Sequence, residues 1–168
     1  MYQIGDTVVC GSNGVCTIIE IGPLANMGKL QKKRNYYTMR PYFDANGRVY
    51  MPVDCEESSI RPTMTREEVD TLMSEFDSLS EIIISDEKMR ETEYKNAVNS
   101  SDPRLLIRII KTMHLRKQSR LENGKKSTAI DERYFRVAEQ RLYEEIALVT
   151  DQERETVREQ LRSYLEKI

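Results

Sequence analysis

The side chains able to make or break bonds are few and scattered. Three cysteines, Cys10, Cys16 and Cys55, and one histidine, His114, supply all the thiol and imidazole groups of the 168-residue chain. A structural zinc site needs four ligands, usually with a tight C-x2–4-C pair. Cys10 and Cys16 are separated by five residues that include a turn signal, and His114 is remote. The cysteines are therefore expected to be small buried strand residues, and no metal or cofactor is expected. An odd cysteine count in a chain starting MYQIGDTVV, with neither a basic n-region nor an apolar h-region, also speaks against a disulfide framework and for a cytoplasmic setting.

Catalytic groupings fare no better. The sequence has no Gly-rich phosphate loop, no G-x-S-x-G and no H-E-x-x-H. The acidic pairs Glu56-Glu57, Glu67-Glu68 and Glu144-Glu145 are adjacent in sequence, so on a helix their carboxylates diverge. Most of them read as solvated faces, and His114 reads as a surface or capping residue. The expectation is a protein that is not an enzyme.

Charge is the chemistry that remains. The net charge is −2, but it is unevenly laid out: residues 1–62 hold seven Lys/Arg against six Asp/Glu, residues 63–102 four against eleven, and residues 103–126 eight against one. On a helix at about 100° per residue, Leu105, Leu106, Ile109, Ile110 and Met113 share one face, and Arg104, Arg108 and Lys111 the opposite, solvent-available one. Arg116, Lys117 and Arg120 then fall on the side that was apolar. The helix must leave the core there or end, because unpaired charges are almost never fully buried. With Lys125 and Lys126 in the following turn, this block reads as a positive promontory suited to phosphate oxygens. The competing reading is that it pairs with the acidic segment before it.

The elements that must position these residues divide the chain in two. Residues 1–62 alternate in short strands broken by turn chemistry: Ser12-Asn13-Gly14 and Asn46-Gly47 each mark a hairpin. This predicts a small, strongly twisted sheet or barrel, and a barrel left partly open offers edge strands to another protein. Beyond Pro62 the period becomes helical. Thr65 with Glu68 is a capping box, Ser85-Asp86-Glu87 opens a helix to about Asn99, and Asp102-Pro103 opens the next. Glu122-Asn123-Gly124 stops it, and Thr128 with Asp131 and Thr150 with Glu153 start two more. The fold class is α+β, with a β module at 1–62, a linking helix and boundary at 63–84, and a helical module at 85–168. No stretch approaches the roughly 20 apolar residues of a membrane span.

The order of these features resembles the CarD family and the related module of transcription-repair coupling factors. The similarity rests on Ile4-Gly5-Asp6-Thr7-Val8-Val9, Asn13-Gly14-Val15, Glu20-Ile21, Tyr36-Tyr37-Thr38-Met39-Arg40, Met51-Pro52-Val53 and Ile60-Arg61. In the helical half it rests on Asn99-Ser100-Ser101-Asp102, Asp131-Glu132-Arg133, Ala138, Leu142, Glu145 and Ile146. The resemblance implies a bacterial transcription regulator. Its Tudor-like barrel binds the RNA polymerase β subunit by strand addition, and its helical domain touches promoter DNA and modulates open-complex stability. By position it nominates Arg40, Arg48, Tyr50 and Met51 for polymerase; the basic residues Arg90, Lys111, Arg116, Lys117, Arg120, Lys125 and Lys126 are the candidates for sequence-tolerant DNA contact. Family members commonly wedge a tryptophan into the minor groove. This chain has no tryptophan, and the position aligned with the wedge is near Glu87. The alternative is a polymerase-binding adaptor that lacks DNA contact.

Overall fold

The computed structural model describes residues 1–24, 34–54 and 60–168. They form two compact units, Met1–Thr63 and Met64–Ile168.

The first unit is a five-stranded antiparallel sheet. Strands β1 (Thr7–Cys10), β2 (Gly14–Gly22), β3 (Tyr36–Pro41), β4 (Val49–Pro52) and β5 (Ile60–Pro62) lie in the order β4-β3-β2-β1-β5. Among the described residues the sheet is open, with β4 and β5 as its margins, so of the sheet or barrel read from the two hairpins it is a sheet, and the barrel that the resemblance implies is not closed. Both hairpins form, but not with the turn chemistry read from Asn-Gly. After β1 the Asn13 N–H donates to Cys10 C=O at 2.8 Å, and only Gly14 takes a positive φ, 70°. Between β3 and β4 the loop is longer, with Asp44 accepting from the Asn46 and Gly47 backbone N–H groups.

One face of the sheet buries Val8, Cys10, Cys16, Ile18, Tyr37, Met39 and Ile60. Strict alternation along β2 would aim Glu20 at that face. Instead the register shifts between Ile18 and Glu20, so that Ile18 pairs with Met39, Glu20 with Thr38 and Ile21 with Tyr37. A single inserted residue, Ile19, thus keeps Ile21 on the core and Glu20 in solvent, which is what a bulge accomplishes.

The second unit contains α1 (Arg66–Ser74), α2 (Arg90–Asn99), α3 (Pro103–Glu122), α4 (Ala129–Thr150) and α5 (Arg154–Leu165), with single 3-10 turns at Phe76–Ser78 and Glu87–Met89. The caps fall where the side chains announce them. Thr65 and Glu68 close a reciprocal capping box, Asp102 accepts from Arg104 N–H, and Thr128 from Asp131 N–H. Gly124, at φ 70°, ends α3 in a Schellman turn in which Lys125 N–H reaches Arg120 C=O at 2.8 Å. Thr150 is the exception: α4 runs through it, its hydroxyl donates back to Ile146 C=O, and Glu153 precedes α5 without a side-chain cap.

Residues from all five helices share one core, including Leu72, Tyr94, Ile107, Ile109, Leu142 and Val157. α1 and Phe76 therefore belong to the helical unit's own packing. The acids read as solvated at 144 and 145 are buried. Glu145 accepts the Met64 N–H at 2.9 Å, and Glu144 meets Arg154 at 3.2 Å, as Glu139 meets Arg162 at 3.3 Å. Those two pairs fasten α5 to α4. Adjacent carboxylates do diverge on a helix, but each here turns toward a donor supplied by another segment. Among the described residues, no helix is long and apolar enough to cross a membrane.

Candidate functional site

Strand β4 is the exposed margin that carries two of the four residues nominated for protein contact, Tyr50 and Met51, with Arg48 directly before it and Arg40 on neighbouring β3. Its register with β3 pairs Met51 with Tyr37, Tyr50 with Thr38 and Val49 with Met39, and just beyond it Val53 N–H donates to Asn35 C=O at 2.9 Å. Antiparallel ladders alternate between hydrogen-bonded and non-bonded pairs. Counting back from Val53, Met51 and Val49 spend their backbone groups on β3, whereas Tyr50 turns its N–H and C=O outward. Pro52 occupies the next outward position and has no N–H to offer.

The side chains follow the same alternation. Met51 and Val49 pack on the core, and Tyr50 and Arg40 are exposed on the other face. Arg48, in the preceding loop, donates to Ala45 and Gly47 carbonyls. The four nominated residues thus separate: Arg40, Arg48 and Tyr50 are presented to solvent, and Met51 holds the strand down. Cys10 and Cys16 are buried in the sheet, while Cys55 lies outside the described residues. Among the described residues, no cluster of three or more His, Cys, Asp or Glu could hold a metal ion.

The helical unit sorts its cations into three groups. The first half of the basic block is consumed by the chain before it. Arg104 pairs with Glu75 at 2.7 Å, Arg108 donates to Ser80 C=O at 2.9 Å, and Thr112 accepts the Ile82 N–H at 2.8 Å. Lys111, 4% exposed, donates to the carbonyls of Phe76, Leu79 and Asp77, and its ammonium lies 4.7 Å from the Phe76 ring centroid. This corrects the expectation that Lys111 faces solvent and DNA. The face opposite the apolar stripe is covered by an extended strap, residues 79–86, whose carbonyls need donors.

Arg90 and Arg116 form the second group. Both grip the Glu87 carboxylate. Arg90 donates through Nε at 2.8 Å and Nη2 at 2.5 Å, and Arg116 through Nη1 at 3.1 Å and Nη2 at 3.3 Å. Behind them, Arg116 Nε donates to Asp131 at 3.0 Å, Tyr94 Oη donates to the other Asp131 oxygen at 2.9 Å, and Arg90 reaches Tyr94 Oη at 3.1 Å. The Arg90 hydrogen bonds, with Arg116 adding its charge, hold the Glu87 carboxyl down at about 2. For Asp131, burial pushes the other way, but hydrogen bonds from Thr128, Arg116 and Tyr94 outweigh it and its carboxyl titrates below the usual range.

The third group is Lys117, Arg120, Lys125 and Lys126, around the end of α3 and the turn into α4. Lys117, Lys125 and Lys126 are exposed, and Arg120 donates to Lys126 C=O at 2.8 Å. Among the described residues, none of these four enters an ion pair. Of the residues nominated for DNA, these are the ones that remain available to a phosphate backbone. Nearby, a cleft of about 550 Å³ opens between α3, α4 and α5, lined by Lys117, Phe135, Arg136 and Tyr143. Half-buried His114 also lines it, 3.0 Å from Gln118 Nε2, and burial, with the charge of Lys117, pulls its pKa down.

Residues 2–64, which span the sheet, match the family model of the CarD-like/TRCF RID domain. The N-terminal unit is a CarD-like domain. Domains of this type are RNA polymerase-interacting, so the chain is transcription-related. The match to the CarD-like domain ends where the helical unit begins, and no curated protein matches the chain.

Proposed function

We propose that the protein is a non-enzymatic bacterial transcription regulator acting in the cytoplasm. Its CarD-like domain holds the RNA polymerase β subunit, and its helical unit contacts promoter DNA and tunes the open complex. The observation that carries this reading is the CarD-like match over a sheet whose β4 margin is open at Tyr50. A strand added there would find one outward N–H and C=O pair at Tyr50, flanked by the exposed side chains of Arg40 and Arg48. The meander of four strands with β5 returned beside β1 supports treating the sheet as Tudor-like. DNA contact falls to Lys117, Arg120, Lys125 and Lys126. It would be tolerant of sequence and steeply salt-dependent, because phosphate neutralisation dominates it.

A test with the full-length chain separates the two hands. Tyr50→Pro removes the outward N–H without touching a β3 hydrogen bond and should abolish binding to the isolated β-subunit lobe, leaving duplex affinity intact. Lys125→Gln with Lys126→Gln should do the converse, lowering the slope of log affinity against log salt by about 2. Undiminished polymerase binding by Tyr50→Pro would refute strand addition at β4.

The adaptor reading is favoured by a separate observation: Lys111 is buried, and Arg90 and Arg116 are engaged by Glu87. It predicts polymerase binding with no measurable duplex affinity at low salt.

A further inference from the structure

We propose that the guanidinium groups of Arg90 and Arg116 form a built site for a phosphate group, and that the chain's own Glu87 carboxylate occupies it in the free protein. The inference rests on the promoter contact proposed above for the source of that phosphate, the nucleic-acid backbone.

Four N–H groups from two planar forks converge on one carboxylate. This is the arrangement arginines use for phosphate and carboxylate alike. The forks do not depend on Glu87 for their orientation. Arg116 is tied to Asp131, and Arg90 to Tyr94, whose hydroxyl in turn donates to Asp131; Tyr94 and Asp131 are both buried. Exposure falls off in the same order: the Glu87 side chain is 67% exposed, Arg116 23% and Arg90 13%. The carboxylate is therefore the outer member, lying over two cations fixed from behind.

Glu87 is also the member best placed to leave. It sits on a single 3-10 turn that follows the extended strap, outside the body of α2. That turn is held locally by Met89 N–H to Asp86 C=O and Lys88 N–H to the Asp86 carboxylate. A backbone phosphodiester presents two non-bridging oxygens and one negative charge, the same complement as a carboxylate. Exchange leaves the site neutralised and releases Glu87 to water. The wild-type chain thus competes with its own ligand, and exposed Lys88 stands beside the opening.

The test uses the full-length chain and two probes, a promoter duplex followed by fluorescence anisotropy and inorganic phosphate followed by thermal shift. Glu87→Gln should bind the duplex about 10-fold more tightly than wild type and steepen the salt slope by about 1, as one further neutralised phosphate requires. It should also gain stabilisation by inorganic phosphate, and Arg90→Gln added to it should erase both gains. Thermal midpoints without ligand report whether each variant folds. If Glu87→Gln matches wild type with both probes, the site is refuted. Duplex binding that is still lost on Lys125→Gln with Lys126→Gln would then leave promoter contact standing. A gain with inorganic phosphate but no duplex binding by any variant would uphold the site and overturn promoter contact.

Discussion

Lys111→Met is the sharpest probe of how the helical unit is held together. Methionine preserves the stem and most of the volume, so packing is nearly conserved and the substitution removes only the ammonium. What is lost is a charged donor shared by Leu79 C=O at 2.9 Å, by Phe76 C=O, and more weakly by Asp77 C=O at 3.5 Å. Hydrogen bonds to charged groups contribute about 1.5–3 kcal/mol each, and a buried carbonyl left without a donor costs about 1–3 kcal/mol. Relief of the buried ammonium's desolvation, several kcal/mol, acts in the opposite direction. The net cost is about 3 kcal/mol, which for a unit of this size corresponds to a fall in Tm of about 15 °C. Far-UV circular dichroism follows the helical unit through thermal and urea unfolding. Binding to the polymerase lobe should be unchanged, since the CarD-like domain is a separate unit. Lys125→Met, at an exposed position, serves as the control and should stay within about 0.5 kcal/mol of wild type. A Lys111→Met variant within about 1 kcal/mol of wild type would refute the argument that this ammonium organises residues 76–79.

Three further outcomes follow from the geometry. Asp131 titrates below its ordinary value in the folded chain, so on acidification the unfolded state takes up the proton first. Its contribution is full above about pH 4 and drains away as pH falls through the folded value. Asp131→Asn should therefore be less stable than wild type at neutral pH and lose less on going below pH ~4, as read from urea midpoints across pH. Asp151 occupies the left-handed position of the turn ending α4, at φ 55°, with Gln152 N–H bonded to Ala147 C=O. Asp151→Gly should raise stability by about 1 kcal/mol, by removing both that strain and a carboxylate at a helix C-terminus. Gly47→Ala would place a Cβ 2.8 Å from the Asp44 carboxylate and 3.0 Å from the Pro41 ring, and should cost about 1–3 kcal/mol in chemical denaturation.

Local signals were readable wherever the deciding partner lies a few residues away. Thr65 with Glu68, Asp102 with Pro103, Thr128 with Asp131 and Gly124 each act through the neighbouring turn of backbone, and each appears in the structure. Thr150 misled because the same hydroxyl that can cap a following helix can instead bond the carbonyl four residues back. Long-range partners were not readable. Nothing near Lys111 announces that a 3-10 turn and the start of the strap, some 30 residues earlier, bring it three carbonyls, and periodicity alone assigned it to solvent. Glu144 and Glu145 failed likewise, since their donors are Arg154 and the Met64 N–H. Of the DNA candidates, the sequence could identify the charges but could not separate those free at the end of α3 from those already held by Glu87. The shift at Ile19 escaped alternation for the same reason: a bulge is visible only once β3 supplies the register.

The margins of the sheet bear on how the chain behaves when crowded. β4 and β5 each end in a proline, Pro52 and Pro62, and β5 is only three residues long. An open sheet with long, fully competent margins invites copy-on-copy stacking, because every added strand presents a fresh edge to the next. Here a visiting strand meets one usable rung at Tyr50 before the ladder stops at Pro52. Such a margin can accept a short segment from a different protein yet propagates poorly through its own kind. The sheet can therefore stay open for docking without becoming a seed for fibrils.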